Sequence, residues 1–118
     1  MERDIKFRGK SISGDWVYGD LLRRYGMTEI YQPSGTIPII PETVGQFTGL
    51  KDKNGVEIYD GVILKIDEGH PVEVRYEKIY ASFGIWRKGW AFLHYFHEAV
   101  EPENCEVIGN IHNKNKQQ

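Results

Sequence analysis

No segment of this chain repeats its apolar residues at helical spacing over three turns. The pattern is one of short runs that alternate or cluster apolar residues between turn signals. Ile5–Arg8 alternates apolar and basic positions, as a short strand does. Gly9–Gly14 is polar and turn-like. Asp15–Arg24 is rich in aromatic and branched residues, Tyr25–Gly26 reads as a turn, and Thr28–Gln32 as a returning strand, which predicts a hairpin. Pro33–Gly35 breaks it. Thr36–Ile40 is extended, with Pro38 and Pro41 arguing for an edge or irregular position. Pro41–Val44 suits one helical turn, since Pro and Glu favour a helix start.

The second part of the chain continues in the same manner. Val44–Leu50 leads to Lys51–Gly55, where Asn54-Gly55 predicts a tight type I′ turn, both of whose central residues need positive φ. Val56–Tyr59 precedes a second turn at Asp60-Gly61, and Val62–Asp67 reads as a strand. Pro71–Glu77 gives the clearest alternation, with Val72, Val74 and Tyr76 on one face and Glu73, Arg75 and Glu77 on the other. Ile79–Trp86 and Trp90–Phe96 predict a further pair around Arg87–Gly89, with a short helix over His94–Val100 as the alternative. Cys105–Ile111 reads as a last strand and Asn113–Gln118 as a frayed polar tail.

These elements predict an all-β fold. Its short strands and hairpins would form a small barrel-like or sandwich core, with at most one short helix. Residues 1–48 are expected to make an N-terminal β-hairpin region and residues 49–118 a C-terminal barrel-like region, as one compact unit or two small lobes in contact. The sequence shows no low-complexity stretch and no internal repeat.

Composition agrees with this reading. The 118 residues are 40% apolar and 27% charged, with 13 glycines and only three alanines, Ala81, Ala91 and Ala99, a mix that favours turns and strands over helices. Formal net charge is −2. Residues 1–48 carry six basic and six acidic side chains, and the remainder nine and eleven, so neither part is a basic footprint for nucleic acid, although net charge hides local patches. Cys105 is the single cysteine, no apolar run reaches the roughly 18–20 residues of a membrane span, and MERDIKFRGK has no apolar signal region. The expected location is the cytoplasm, with no membrane association.

Four stretches, IKFRGK, DWVYGDLL, PETVGQFTGLKDKNGVEIYDGVI and CEVIGNIH, resemble the YopX family of phage and prophage proteins across nearly the whole chain. The most specific part is Thr43–Gly61. The resemblance implies a mostly β fold and a bacterial, mobile-element origin; it implies no reaction. Two departures stand out. The family pattern E-G-D-I reads Asp60-Gly61-Val62-Ile63 here, and the Ala-Trp that follows the family's Phe-Arg pair is Gly9-Lys10. Residues after Glu68 match the family loosely.

Candidate chemistry is sparse. Calcium binding at Asp52, Asn54 and Glu57 fails because the twelfth loop position, which needs a bidentate Glu, is Ile63. His94 and His97 stand three apart, but with His70 or Glu98 they fall short of a recognised metal motif, and no metal or cofactor is expected. Cys105 reads as a small buried hydrophobe rather than a nucleophile. No serine lies in a G-x-S-x-G context and no phosphate-binding glycine loop is present. An enzyme with a dispersed site would have Asp60, His94 and His97 as its first suspects.

The remaining candidate is the aromatic segment Tyr80–His97, with Trp86, Arg87, Lys88 and Trp90 as the partner-binding residues. Trp, Tyr and Arg dominate interface hot spots, and aromatics beside cations also stack bases. The bland reading of these aromatics is core packing. The functional expectation is a small non-enzymatic binding module for a host or phage protein or for a second copy of itself. Its alternatives are a single-stranded nucleic-acid-binding protein and the enzyme above.

Overall fold

A computed structural model describes residues 5–77, 82–87, 92–96 and 100–112. The chain divides into two units, Met1–Gly49 and Leu50–Gln118. The protein is predominantly β: among the described residues it consists of antiparallel strands, with 3₁₀ turns at Pro41–Thr43 and Pro102–Asn104 and no helix of seven or more residues. No helix among them is long and apolar enough to cross a membrane.

In the first unit β1 (Phe7–Lys10), β2 (Trp16–Arg24), β3 (Met27–Gln32) and β4 (Gly35–Pro38) form an antiparallel meander. After the 3₁₀ turn, β5 (Gly45–Lys51) returns beside β1, giving the order β4-β3-β2-β1-β5. Alternation decides the faces. Val17, Ile30 and Ile39 are buried, with Phe7, Leu21, Ile37 and Val44 against them. Each such side chain contributes about 1.5–3 kcal/mol when fully buried. Gly9 lies so close to Ile39 that a methyl group there would collide with its Cγ2, which gives a steric reason for glycine where the family pattern has alanine.

The second unit contains β6 (Glu57–Tyr59), β7 (Val62–Ile66), β8 (Val72–Glu77), β9 (Ser82–Trp86), β10 (Phe92–Tyr95) and β11 (Cys105–Asn110). Strands β7 to β10 form a meander, and β11 returns beside β7 in the order β10-β9-β8-β7-β11. Ile58, Val62, Leu64, Val74, Ile85 and Cys105 are all buried to 3% exposure or less. Val72 and Val74 face inward as their alternation predicts, whereas Tyr76, on the same face near the strand end, is 44% exposed and meets Phe83 edge-on at 5.4 Å. Of the helix considered over His94–Val100, His94 and Tyr95 belong to β10, Phe96 is helical, and the Val100 N–H donates to the Phe96 carbonyl at 3.0 Å.

The two units share one topology. Each is a meander followed by a Pro-led 3₁₀ turn and a strand that returns beside the first. The turns read Pro41-Glu42-Thr43 and Pro102-Glu103-Asn104. Each ties down the end of the meander's first strand: the Lys10 N–H donates to Thr43 Oγ1 at 2.8 Å, and the Asp67 N–H to the Asn104 carbonyl at 2.8 Å. The chain has no internal repeat of sequence, and the likeness is one of topology. The units share a strand order and little more than a Pro-Glu pair, which alternation alone does not reveal.

Turn chemistry distinguishes two loops. Tyr25 and Gly26, with φ of 53° and 75°, form the two-residue connection between Arg24 and Met27, the positive-φ pair of a type I′ hairpin. The Asn54-Gly55 turn differs from expectation: Gly55 alone has positive φ (83°), and Lys53–Gly55 is a three-residue loop closed by the Asp52 N–H to the Val56 carbonyl (2.8 Å) and the Gly55 N–H to the Asp52 carbonyl (3.0 Å). Its organiser is Asp52, which is 4% exposed. Oδ1 accepts the N–H groups of Asn54 (2.8 Å) and Val56 (2.9 Å), and Oδ2 accepts that of Val107 in β11 (2.8 Å). The Lys53 N–H meets the Cys105 carbonyl at 3.1 Å. The loop thus satisfies the outward-pointing groups of edge strand β11 much as a further strand would.

Burial would raise the Asp52 pKa, but the N–H groups of Val107, Val56 and Asn54, with the Lys53 charge, outweigh it and hold the carboxyl below its ordinary value. A depressed folded-state pKa stabilises the fold at pH values above the ordinary aspartate range, and that contribution is lost as pH falls through the folded value. Urea unfolding of Asp52→Ala should show a loss of about 1–3 kcal/mol at neutral pH, and a smaller loss of stability on acidification than in the parent. Tyr25→Asn should raise stability by about 1 kcal/mol, because asparagine tolerates the left-handed backbone that costs tyrosine strain; thermal unfolding reads this directly.

Candidate functional site

The structure places Trp86 at the end of β9, opposite Glu73 of β8 and Phe92 of β10. Its neighbour Ile85 and the facing Val74 point into the core, so Trp86, Glu73 and Arg75 share the outer face of the β8–β9 pair. Trp86 and Arg87 are half-buried. Lys88 and Trp90 lie outside the described residues.

The cation beside Trp86 comes from the neighbouring strand. Arg75 Nε and one terminal nitrogen each lie 3.1 Å from Glu73 Oε1, and its guanidinium carbon is 5.6 Å from the Trp86 ring centroid. The Glu73 side chain is 13% exposed and that of Arg75 52%. Glu73 therefore restricts Arg75 at an indole face, while the guanidinium keeps contact with solvent. A cation near a Trp face at this distance gains roughly 0.5–1 kcal/mol at an exposed site. The alternation in Pro71–Glu77 already put Glu73 and Arg75 on one face; what it lacked was the register that sets them beside Trp86.

The groups considered for reaction chemistry are placed differently. Asp60 sits in the turn after β6, where Oδ1 receives the Tyr76 N–H at 3.4 Å. Burial pushes its carboxyl above its ordinary value, against the lowering pull of the Tyr76 N–H and the Arg75 charge. His94 belongs to β10, whose backbone alone is described, and His97 lies outside the described residues. The His112 imidazole lies beside Gly61, with Nε2 3.3 Å from where a Gly61 Cβ would stand. No group of three His, Cys, Asp or Glu side chains among the described residues could hold a metal ion.

Cys105 is 1% exposed. Burial pushes its thiol up, the charges of Asp52 and Glu103 push it further, and Lys53 opposes them. A polar cleft of about 230 Å³, lined by Lys53, Lys65, Asp67, Glu68 and Glu103 among others, borders it. A thiol held protonated in an acidic setting is a poor nucleophile.

A second aromatic and cationic face went unnoticed in the sequence. In the first unit Arg8 stands opposite Tyr18 and Lys10 opposite Trp16, on the side of the sheet away from Val17 and Ile30. The Arg8 guanidinium carbon is 3.9 Å from the Trp16 ring centroid, Lys10 Nζ 5.4 Å from the same ring, and Lys6 Nζ 5.2 Å from that of Phe47. Tyr31, opposite Asp20, continues this face on β3. Tyr18 and Tyr31 are 42% and 49% exposed. The available signal was the spacing of Lys6, Arg8 and Lys10, but only strand register brings them to Trp16 and Tyr18.

A family model described as YopX protein matches residues 3–116, nearly the whole chain. No curated protein matches it.

The placement of Cys105 has a direct check. A thiol-specific chromogenic disulfide should leave the folded protein unmodified at neutral pH and titrate one thiol in denaturant; rapid reaction of the native protein would contradict the burial of this side chain.

Proposed function

This chain belongs to the YopX family, and from that premise we propose that it is a phage- or prophage-derived, non-enzymatic binding module. It acts in the cytoplasm of the bacterial host and contacts a protein partner, or a second copy of itself, through the outer face of β8–β9. The observation that carries this reading is the Glu73–Arg75–Trp86 arrangement. An arginine tethered beside a tryptophan on a paired strand loses little side-chain freedom on binding, and these two residue types are among those that dominate interface hot spots. Arg87, Lys88 and Trp90 follow Trp86 in sequence. The raised thiol pKa of Cys105 fits a structural role for that cysteine better than a catalytic one.

The test compares the parent chain with Trp86→Ala and Arg75→Ala in affinity capture from bacterial lysate, with and without nuclease, alongside sedimentation of the purified protein. A specific protein retained in both nuclease arms, or self-association, should weaken at least about 30-fold in either variant, matching a hot spot of about 2 kcal/mol. Thermal unfolding should show both variants folded. No protein retained in the nuclease-treated arm together with no self-association, or variants that bind as well as the parent, would reject this reading.

A further inference from the structure

The outer face of the first unit concentrates charge that the balanced composition of residues 1–48 conceals. Lys6, Arg8, Lys10 and Arg24 lie on or beside it, against the carboxylates of Asp20 and Glu29. Glu29 Oε1 is already held by Arg24 Nε at 3.4 Å. The acids Asp15 and Glu42 sit elsewhere, in the turn before β2 and in the 3₁₀ turn. Among the described residues the face therefore sets four cations against two carboxylates, and it carries two tyrosines that are each more than two-fifths exposed.

We propose that this face binds single-stranded nucleic acid, with Tyr18 and Tyr31 as stacking platforms for bases and Lys6 and Lys10 as contacts for phosphates. Tyr31 stands opposite Asp20, two residues along β2 from Tyr18, so the tyrosines are diagonal neighbours roughly 7–8 Å apart at Cα. That separation lets each ring take its own unstacked base. Every base has a π face, so such recognition tolerates sequence, while the cations track the backbone. Arg8 has a different part. It is 9% exposed and lies against Trp16, where it stiffens the centre of the face and adds to its positive field.

The shared topology supports this placement. Strands β2 and β3 occupy in the first unit the places that β8 and β9 occupy in the second, and in both the face away from the core pairs aromatic rings with cations. Beside Trp86 the nearby arginine pairs with Glu73, and on the first face two lysines and an arginine lie against aromatic rings. A phosphate backbone suits the latter. The inference is independent of the protein-binding reading, because it concerns other residues.

Fluorescence anisotropy of labelled dT20 and rU20 oligonucleotides with the purified full chain tests it, the two probes separating DNA from RNA. Binding is expected at roughly 50 mM salt and should weaken steeply towards 200 mM, because phosphate neutralisation releases counterions. Tyr18→Ala and Tyr31→Ala should each weaken binding roughly 5- to 100-fold, the loss expected for one stacking platform. Tyr18→Phe and Tyr31→Phe should retain it, since the ring remains. Lys10→Glu should weaken both probes alike and flatten the salt dependence. No binding of either probe at low salt would overturn the proposal. So would alanine variants that bind as the parent does, or binding abolished by Trp86→Ala while Tyr18→Ala leaves it intact.

Discussion

A buried carboxylate with backbone donors on both its oxygens is the constraint around which the second unit is arranged. Asp52 shapes its own loop through Asn54 and Val56 and reaches 55 positions along the chain to Val107. An ionised group in so enclosed a place is tolerated because N–H dipoles surround it. The same contacts cover the outward edge of β11, the last strand of its sheet. Loop conformation and edge protection thus come from one side chain, which is why its charge matters more than the turn residues beside it.

The most specific stretch of the family resemblance, Thr43–Gly61, acquires a physical account from this arrangement. Thr43 holds the end of β1, Asp52 holds β11, Gly55 supplies the positive φ of the loop, and Gly61 donates to the Val74 carbonyl at 2.7 Å. Much of that stretch is explained by folding requirements. The residues proposed to touch a partner lie outside it, on or beside β1, β2, β3, β8 and β9.

The β character of the chain was legible because period-two alternation and turn residues are local signals. The hairpin at Tyr25-Gly26, the strand Val72–Glu77 and the turn led by Pro41 all follow from a few neighbouring residues. Asp52 was read as part of a tight turn because its decisive partner is far away in sequence. The shared topology was invisible for a related reason: it is a property of strand order, and the units have little in common but Pro41-Glu42 and Pro102-Glu103. The aromatic candidates divide in the same way. Trp86 stands out by composition, but Arg75 joins it only through the β8–β9 register, and Tyr18 and Tyr31 face one way only once β1, β2 and β3 are paired.

The returning strand of each unit carries a kinetic meaning. Along a meander every strand meets its predecessor, so each pairing closes a short loop. The pairings of β5 with β1 and of β11 with β7 instead enclose the rest of the unit, and their entropy must be lost before their contacts give anything back. The 3₁₀ turns stand immediately before these strands and are tied to the ends of the first ones. They shorten the final search to the placement of one strand beside a partner already in reach. Closure is thus the expected late step in each unit, with the Pro-led turn as the hinge on which it depends.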